Sequence, residues 1–110
     1  MSRLGKHLHQ SLHALELKWA VDVVRLCEEN MDVLAELMDQ EGVEIWAEII
    51  ILFQKAGISP NEFTNALGTS ANTIWSWTNA KFMPRSETRI AMINALIDVL
   101  RSRANFPANV

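Results

Sequence analysis

Residues 57–84, GISPNEFTNALGTSANTIWSWTNAKFMP, constrain this chain more than any other stretch. They hold two helix starts with a helix stop between them. Ser59-Pro60-Asn61-Glu62 is a start: serine can accept from the amide at the third helical position, proline suits the first, and Glu62 can reach back to the cap. Gly68 is the stop, because glycine takes the left-handed conformation that ends a helix. Thr69 or Ser70 then caps a second short helix through about Asn79, and Lys81 to Arg85 form a loop containing Pro84. Two short helices joined by so tight a turn must cross each other. The helices around them must supply the core that neither can bury alone.

The flanking sequence provides those helices. Leu12, Leu15, Trp19, Val23, Leu26, Leu34 and Leu37 recur at helical spacing and predict one long helix over about 11–40, with Gly42 as its stop. Leu17, Val21 and Val24 add a second apolar strip, so this helix needs more than one neighbour. A helix over about 43–56 carries Ile45, Trp46, Ile49, Ile50, Ile51, Leu52 and Phe53, leaves little polar face, and should be buried on most sides before Gly57 ends it. A last helix, capped by Ser86, should run to about Arg103 and bury Ile90, Ile93, Leu96, Ile97 and Leu100. No strand pattern, repeat or low-complexity segment is visible. The expected class is all-α.

Composition narrows the function. With 110 residues the chain suits one domain and an appended arm. The longest strictly apolar run, Ile49 to Phe53, is too short to span a bilayer, and the N-terminus lacks the apolar core of a signal peptide. Cys27 is the only cysteine, which suits a reducing cytoplasm and a small core residue. Charge is uneven. Residues 1–56 hold 5 Lys and Arg against 10 Asp and Glu, while residues 57–110 hold 5 against 3, so only the back half is suited to meet a polyanion. His7, His9 and His13 form no obvious metal site with a cysteine or acid, and no metal or other cofactor is expected. No nucleophile–base pair, phosphate loop or carboxylate pair points to an enzyme.

A helix-turn-helix needs a small residue at the helix crossing, a turn residue tolerant of unusual backbone, and a second helix with apolar anchors inward and polar side chains outward. Phe63, Ala66 and Leu67 supply the inner face of the first helix, Gly68 the turn, and Ile74 and Trp77 the anchors. Gly57-Ile58-Ser59, Phe63, Leu67-Gly68-Thr69-Ser70, Thr73-Ile74, Trp77, Lys81 and Pro84 together resemble the phage-repressor (Cro-like, XRE-type) helix-turn-helix family over residues 43–102. The chain departs from that pattern at Thr64, where alanine is frequent, at Thr78, where an acid is frequent, and at Ala80, where glycine is frequent.

The resemblance implies a five-helix repressor-like domain over 43–104, preceded by the helical arm 1–42 and followed by a tail, 105–110. It places Ala71, Asn72, Thr73 and Ser76 where the family touches base edges. Asparagine can pair with adenine, and alanine or threonine can meet a thymine methyl. Phosphate contacts would come from Ser59, Asn61, Ser70, Asn79, Lys81 and Arg85. Ser59 and Ser70 serve equally well as helix caps, and Lys81 and Arg85 as solvated loop charges. Trp75, on nearly the opposite side of its helix from Trp77, has three roles open: packing on the last helix or the arm, a sugar-phosphate contact, or a protein contact.

The resemblance implies a cytoplasmic regulator, a repressor, that binds double-stranded DNA with its second helix, residues 70–79, in the major groove. Few cations face the DNA, so a homodimer or higher oligomer through the N-terminal helix is expected, about 45 Å long at helical rise. The alternative is a protein-interaction module on the same scaffold, binding another regulator, a polymerase subunit or a toxin. The negative net charge and the lack of Arg or Lys between Lys55 and Lys81 motivate it.

Overall fold

The first helical turns already depart from one continuous rod. The computed structural model of the chain describes residues 20–103 and Phe106. Among these residues it is all-helical: α1 (Ala20–Glu29), α2 (Met31–Ala35), α3 (Asp39–Lys55), α4 (Pro60–Leu67), α5 (Ala71–Thr78) and α6 (Ser86–Arg101). The long helix expected through residue 40 is therefore broken twice. Asn30 makes the first break. Its amide donates to Leu26 O at 2.8 Å, and its own backbone N–H bonds Cys27 O. Asparagine competes in this way with the helical ladder. The second break, after Ala35, comes from outside the segment, from Arg89 in α6.

Gly42 is a correction of a different kind. It does not end a helix but lies buried in the first turn of α3. A Cβ there would sit 3.1 Å from the Leu37 carbonyl carbon and 3.2 Å from Met83 Cε. A side chain there would require Leu37 or Met83 to give way. The expected boundary between residues 42 and 43 thus falls inside α3. Residues 20–37 do not stand apart either: Val23, Val24, Leu26, Cys27, Val33, Leu34 and Leu37 belong to the same buried cluster as Ile45, Trp46, Ile93 and Leu100. Leu12, Leu15, Trp19 and the three histidines lie outside the described residues.

Helix α3 is the central element, as its near-continuous apolar sequence requires. Ile45, Trp46, Ala47, Ile49, Ile50 and Phe53 are buried. Its end is a Schellman turn at Gly57 (φ 106°), where Gly57 N–H bonds Gln54 O and Ile58 N–H bonds Phe53 O. Ile58 is then drawn into the core. Helix α6 buries Ile93, Leu96, Ile97 and Leu100 as expected and packs on α1, α2 and α4. Ser86 does not cap it. Arg85 occupies the cap position without a side-chain bond, and Ser86 Oγ donates to Ala35 O at 2.6 Å. Cys27 is fully buried, and burial, with the Glu28 charge adding, pushes its thiol up to about 12. At neutral pH it is a small apolar core residue.

Candidate nucleic-acid interface

The α4–α5 pair is built from local bonds that the sequence signals anticipate. Ser59 Oγ accepts from Glu62 N–H at 3.2 Å, and Glu62 Oε1 accepts from Ser59 N–H at 2.9 Å, closing a capping box behind Pro60. The backbone bond from Ser59 is the main cause of a lowered Glu62 carboxyl pKa, and Arg103 adds to it. Arg103 Nη2 donates to both Glu62 oxygens, at 2.9 and 3.0 Å, and to Gly57 O at 2.9 Å. The start of α4 is thereby clamped to the end of α6. Gly68 closes α4 at φ 62° and donates to Thr64 O. A Cβ there would touch nothing within 4 Å, so the glycine is required by backbone conformation alone.

Helix α5 starts on Ser70, whose Oγ accepts from Thr73 N–H at 3.1 Å. Ile74 and Trp77 face inward and are buried, and the Trp77 ring meets Trp46 of α3 edge-on, with centroids 5.6 Å apart and planes at 80°. The helix ends in a second Schellman turn. Ala80 N–H bonds Trp77 O, Lys81 N–H bonds Ser76 O, and Ala80 itself holds φ 55°. The turn normally made by glycine is kept here with an alanine in the left-handed region. Ala80 O also accepts from Gln40 Nε2 at a long 3.4 Å.

The residues expected to read bases divide into two groups. Ala71 and Asn72 are exposed at the first turn of α5. Thr73 and Ser76 are half-buried and engaged locally: Thr73 Oγ1 shares a hydrogen bond with Ser70 Oγ, and Ser76 Oγ donates to Asn72 O. Among the residues expected at phosphates, Ser59 and Ser70 cap their helices, and Asn79 Nδ2 folds back to Trp75 O at 2.8 Å. Asn61, Lys81 and Arg85 are exposed. Arg85 borders a groove formed with Ala35, Leu37, Met38 and Gly42. Trp75 is 56% exposed, so neighbouring helices among the described residues leave most of it uncovered.

Arg89 is the residue that the sequence reading passed over. It is 4% exposed and has four backbone acceptors: Nε donates to Leu34 O, Nη1 to Pro84 O, and Nη2 to Ala35 O and Leu37 O. Burial pulls its pKa below the ordinary value, with Glu87 opposing. The signal was its position, one turn before Ile93 on the stripe that continues through Leu96, Ile97 and Leu100. Arg101 is likewise occupied, donating to both carboxylate oxygens of Glu28 at 2.7 and 2.8 Å. Of the five cations in residues 57–110, Arg89, Arg101 and Arg103 are thus committed internally, and only Lys81 and Arg85 face solvent without a side-chain partner among the described residues.

Comparison with known proteins finds no matching family model, curated protein or solved structure.

Proposed function

We propose that the chain is a sequence-specific regulator that binds double-stranded DNA through a repressor-like helix-turn-helix, α4 and α5. One observation carries this reading. Helix α5 is anchored by Ile74 and Trp77 while its first turn presents Ala71 and Asn72 to solvent. An anchored helix with short polar side chains at its exposed N-terminal turn is what major-groove entry requires. The starts of α4 and α5, both capped by serine, present backbone dipoles to which phosphate is attracted. Lys81 and Arg85 supply the exposed cations. Two cations per protomer give a weak electrostatic term, so the working unit is a dimer on paired half-sites about one DNA turn apart. Repression in the cytoplasm is the biological role that follows from such a module. Among the described residues no helix is long and apolar enough to cross a membrane.

A gel shift over a salt series tests the reading. We expect specific retardation at low salt that weakens steeply as salt rises. Binding no better than that of an unrelated acidic protein, at any salt, rules it out.

The exposure of Trp75 at 56%, with most back-half cations occupied, favours a second reading, a protein-interaction module on the same scaffold. The two separate in one comparison. A Trp75→Ala variant that loses a protein partner and keeps its DNA affinity supports the second.

A further inference from the structure

We infer that the basic, leucine-rich segment 1–19 of one molecule docks in an apolar groove of a second copy, and that this exchange is reciprocal and makes the dimer. The inference rests on the dimer in the reading above and not on what its helices bind. The groove runs between the α2–α3 connection and the start of α6 and has a volume of about 630 Å³. Val33, Leu37, Met38 and Gly42 give it an apolar side. Met38 is 62% exposed, more than any other large apolar side chain among the described residues. Glu36 and Glu87 line the same groove and are exposed. Asp32 and Asp39, next in sequence to Val33 and Met38, are exposed as well. Arg85 is the one exposed cation lining the groove, since Arg89 is buried on backbone acceptors.

Charge and length name the occupant. The front half of the chain is not uniformly acidic. Residues 1–19 hold 3 Lys and Arg against 1 Glu, whereas residues 20–56 hold 2 against 9 Asp and Glu. Residues 1–19 lie outside the described residues, and their sequence supplies the groove's complement. Leu4, Leu8, Leu12 and Leu15 recur at helical spacing, in company with Arg3, Lys6 and Lys18. Leucines gain by leaving water for an apolar groove, and the cations meet the acids beside it. Nineteen residues span about 28 Å as a helix and about 60 Å extended, enough to leave one body and lie along the next. Reciprocal exchange closes on itself: each copy gives one segment and one groove, so a two-fold dimer leaves neither over. It also joins two helix-turn-helix motifs in one particle, which the scarcity of exposed cations calls for.

The test is sedimentation equilibrium of the full chain at low salt, where the native chain should be a dimer at micromolar concentration. Glu36→Lys with Glu87→Lys places like charges at the groove, and Arg3→Glu with Lys6→Glu places them on the segment. Each double variant should weaken the dimer by about tenfold or more, because like charges then face each other in both copies of the contact. An equal mixture of the two variants should dimerise as the native chain does, since each segment then meets a groove of opposite charge. Met38→Asp should weaken the dimer to a similar extent. Circular dichroism checks the fold of each variant, and rescue in the mixture shows independently that both are folded. A native chain that stays monomeric, or a dimer indifferent to both charge reversals, overturns the inference. So do folded variants that remain monomeric when mixed, the result expected if the segment occupies the groove of its own molecule. A gel shift on the native chain keeps the two readings apart. Duplex bound by a monomer overturns the inference alone, and a dimer that obeys the charge swap but binds no duplex overturns the DNA reading alone.

Discussion

Arg89 carries its charge into the core on backbone acceptors, with Glu87 favouring the charge only through space. Four carbonyl oxygens, two at the C-terminal end of α2 and one just beyond it at Leu37, take the place of water around the guanidinium. Carbonyls at a helix C-terminus carry partial negative charge, so the site suits a cation. Removing the side chain leaves those acceptors buried and unpaired. Arg89→Leu should destabilise the fold by about 3 kcal/mol or more in chemical denaturation. Arg89→Lys should recover part of this, because it restores the charge and not the fork. A neutral effect of Arg89→Leu would mean that the α2–α3 connection is held by other contacts. Ala80 is a strained residue of the opposite kind, one atom too large for its backbone. Its φ of 55° is in the region that disfavours a Cβ. Ala80→Gly should therefore raise stability by about 1 kcal/mol, seen as a higher melting temperature. A loss of stability instead would show that chain entropy outweighs the relieved strain.

Under the DNA reading the element that matters most is α5, and its first turn depends on one hydroxyl. Ser70 Oγ accepts from Thr73 N–H, the bond that starts the helix presenting Ala71 and Asn72. Ser70→Ala should cost about 1 kcal/mol. Amide exchange should quicken first at Thr73, since that N–H loses its acceptor. At the start of α4 the charged Glu62 carboxylate makes the corresponding contacts, and this gives a pH signature. Its pKa is lowered in the folded chain, first by the Ser59 backbone bond. A lowered carboxyl pKa adds stability above the unfolded value, and that stability is lost as pH falls through the folded value. Glu62→Gln should thus melt below the native chain at pH 7, with the gap narrowing as pH drops below about 4.3. A gap constant with pH would mean that the Glu62 charge contributes nothing to the clamp with Arg103.

At the scale of the whole molecule, charge is spent on holding helices together more than on display. Arg101 joins the end of α6 to Glu28 of α1, and Arg103 joins it to Glu62 of α4. These pairs leave the mildly basic back half with fewer uncommitted cations than its composition implies. Under the DNA reading only Lys81 and Arg85 contribute strongly to salt dependence. Lys81→Ala should reduce the slope of log affinity against log salt by about 1 per protomer, nearly uniformly across sequences. An unchanged slope would place Lys81 away from the duplex.

Much of this was legible in the residues alone, and the reason is distance along the chain. The capping box at Ser59, the left-handed Gly68, the Ser70 cap and the Ile74 and Trp77 anchors all rest on bonds or faces set within about one helical turn. The same local logic identified α3 as buried and Trp75 as lying off the Trp77 face. What went unread depends on partners far away in sequence. The break after Ala35 is made by an arginine more than fifty residues later, at separations of 52 to 55. The role of Gly42 comes from Met83 and Leu37 crowding it in space. The occupied state of Arg101 and Arg103 comes from Glu28 and Glu62 on other helices. Sequence periodicity assigns a residue to a face of its own helix but does not say what that face meets. The sequence by itself therefore determined the all-α class and the local shape of α4 and α5. Only the tertiary structure decided where the N-terminal helix ends and how few cations remain for a partner, because both follow from which distant backbone and carboxylate oxygens the arginines reach.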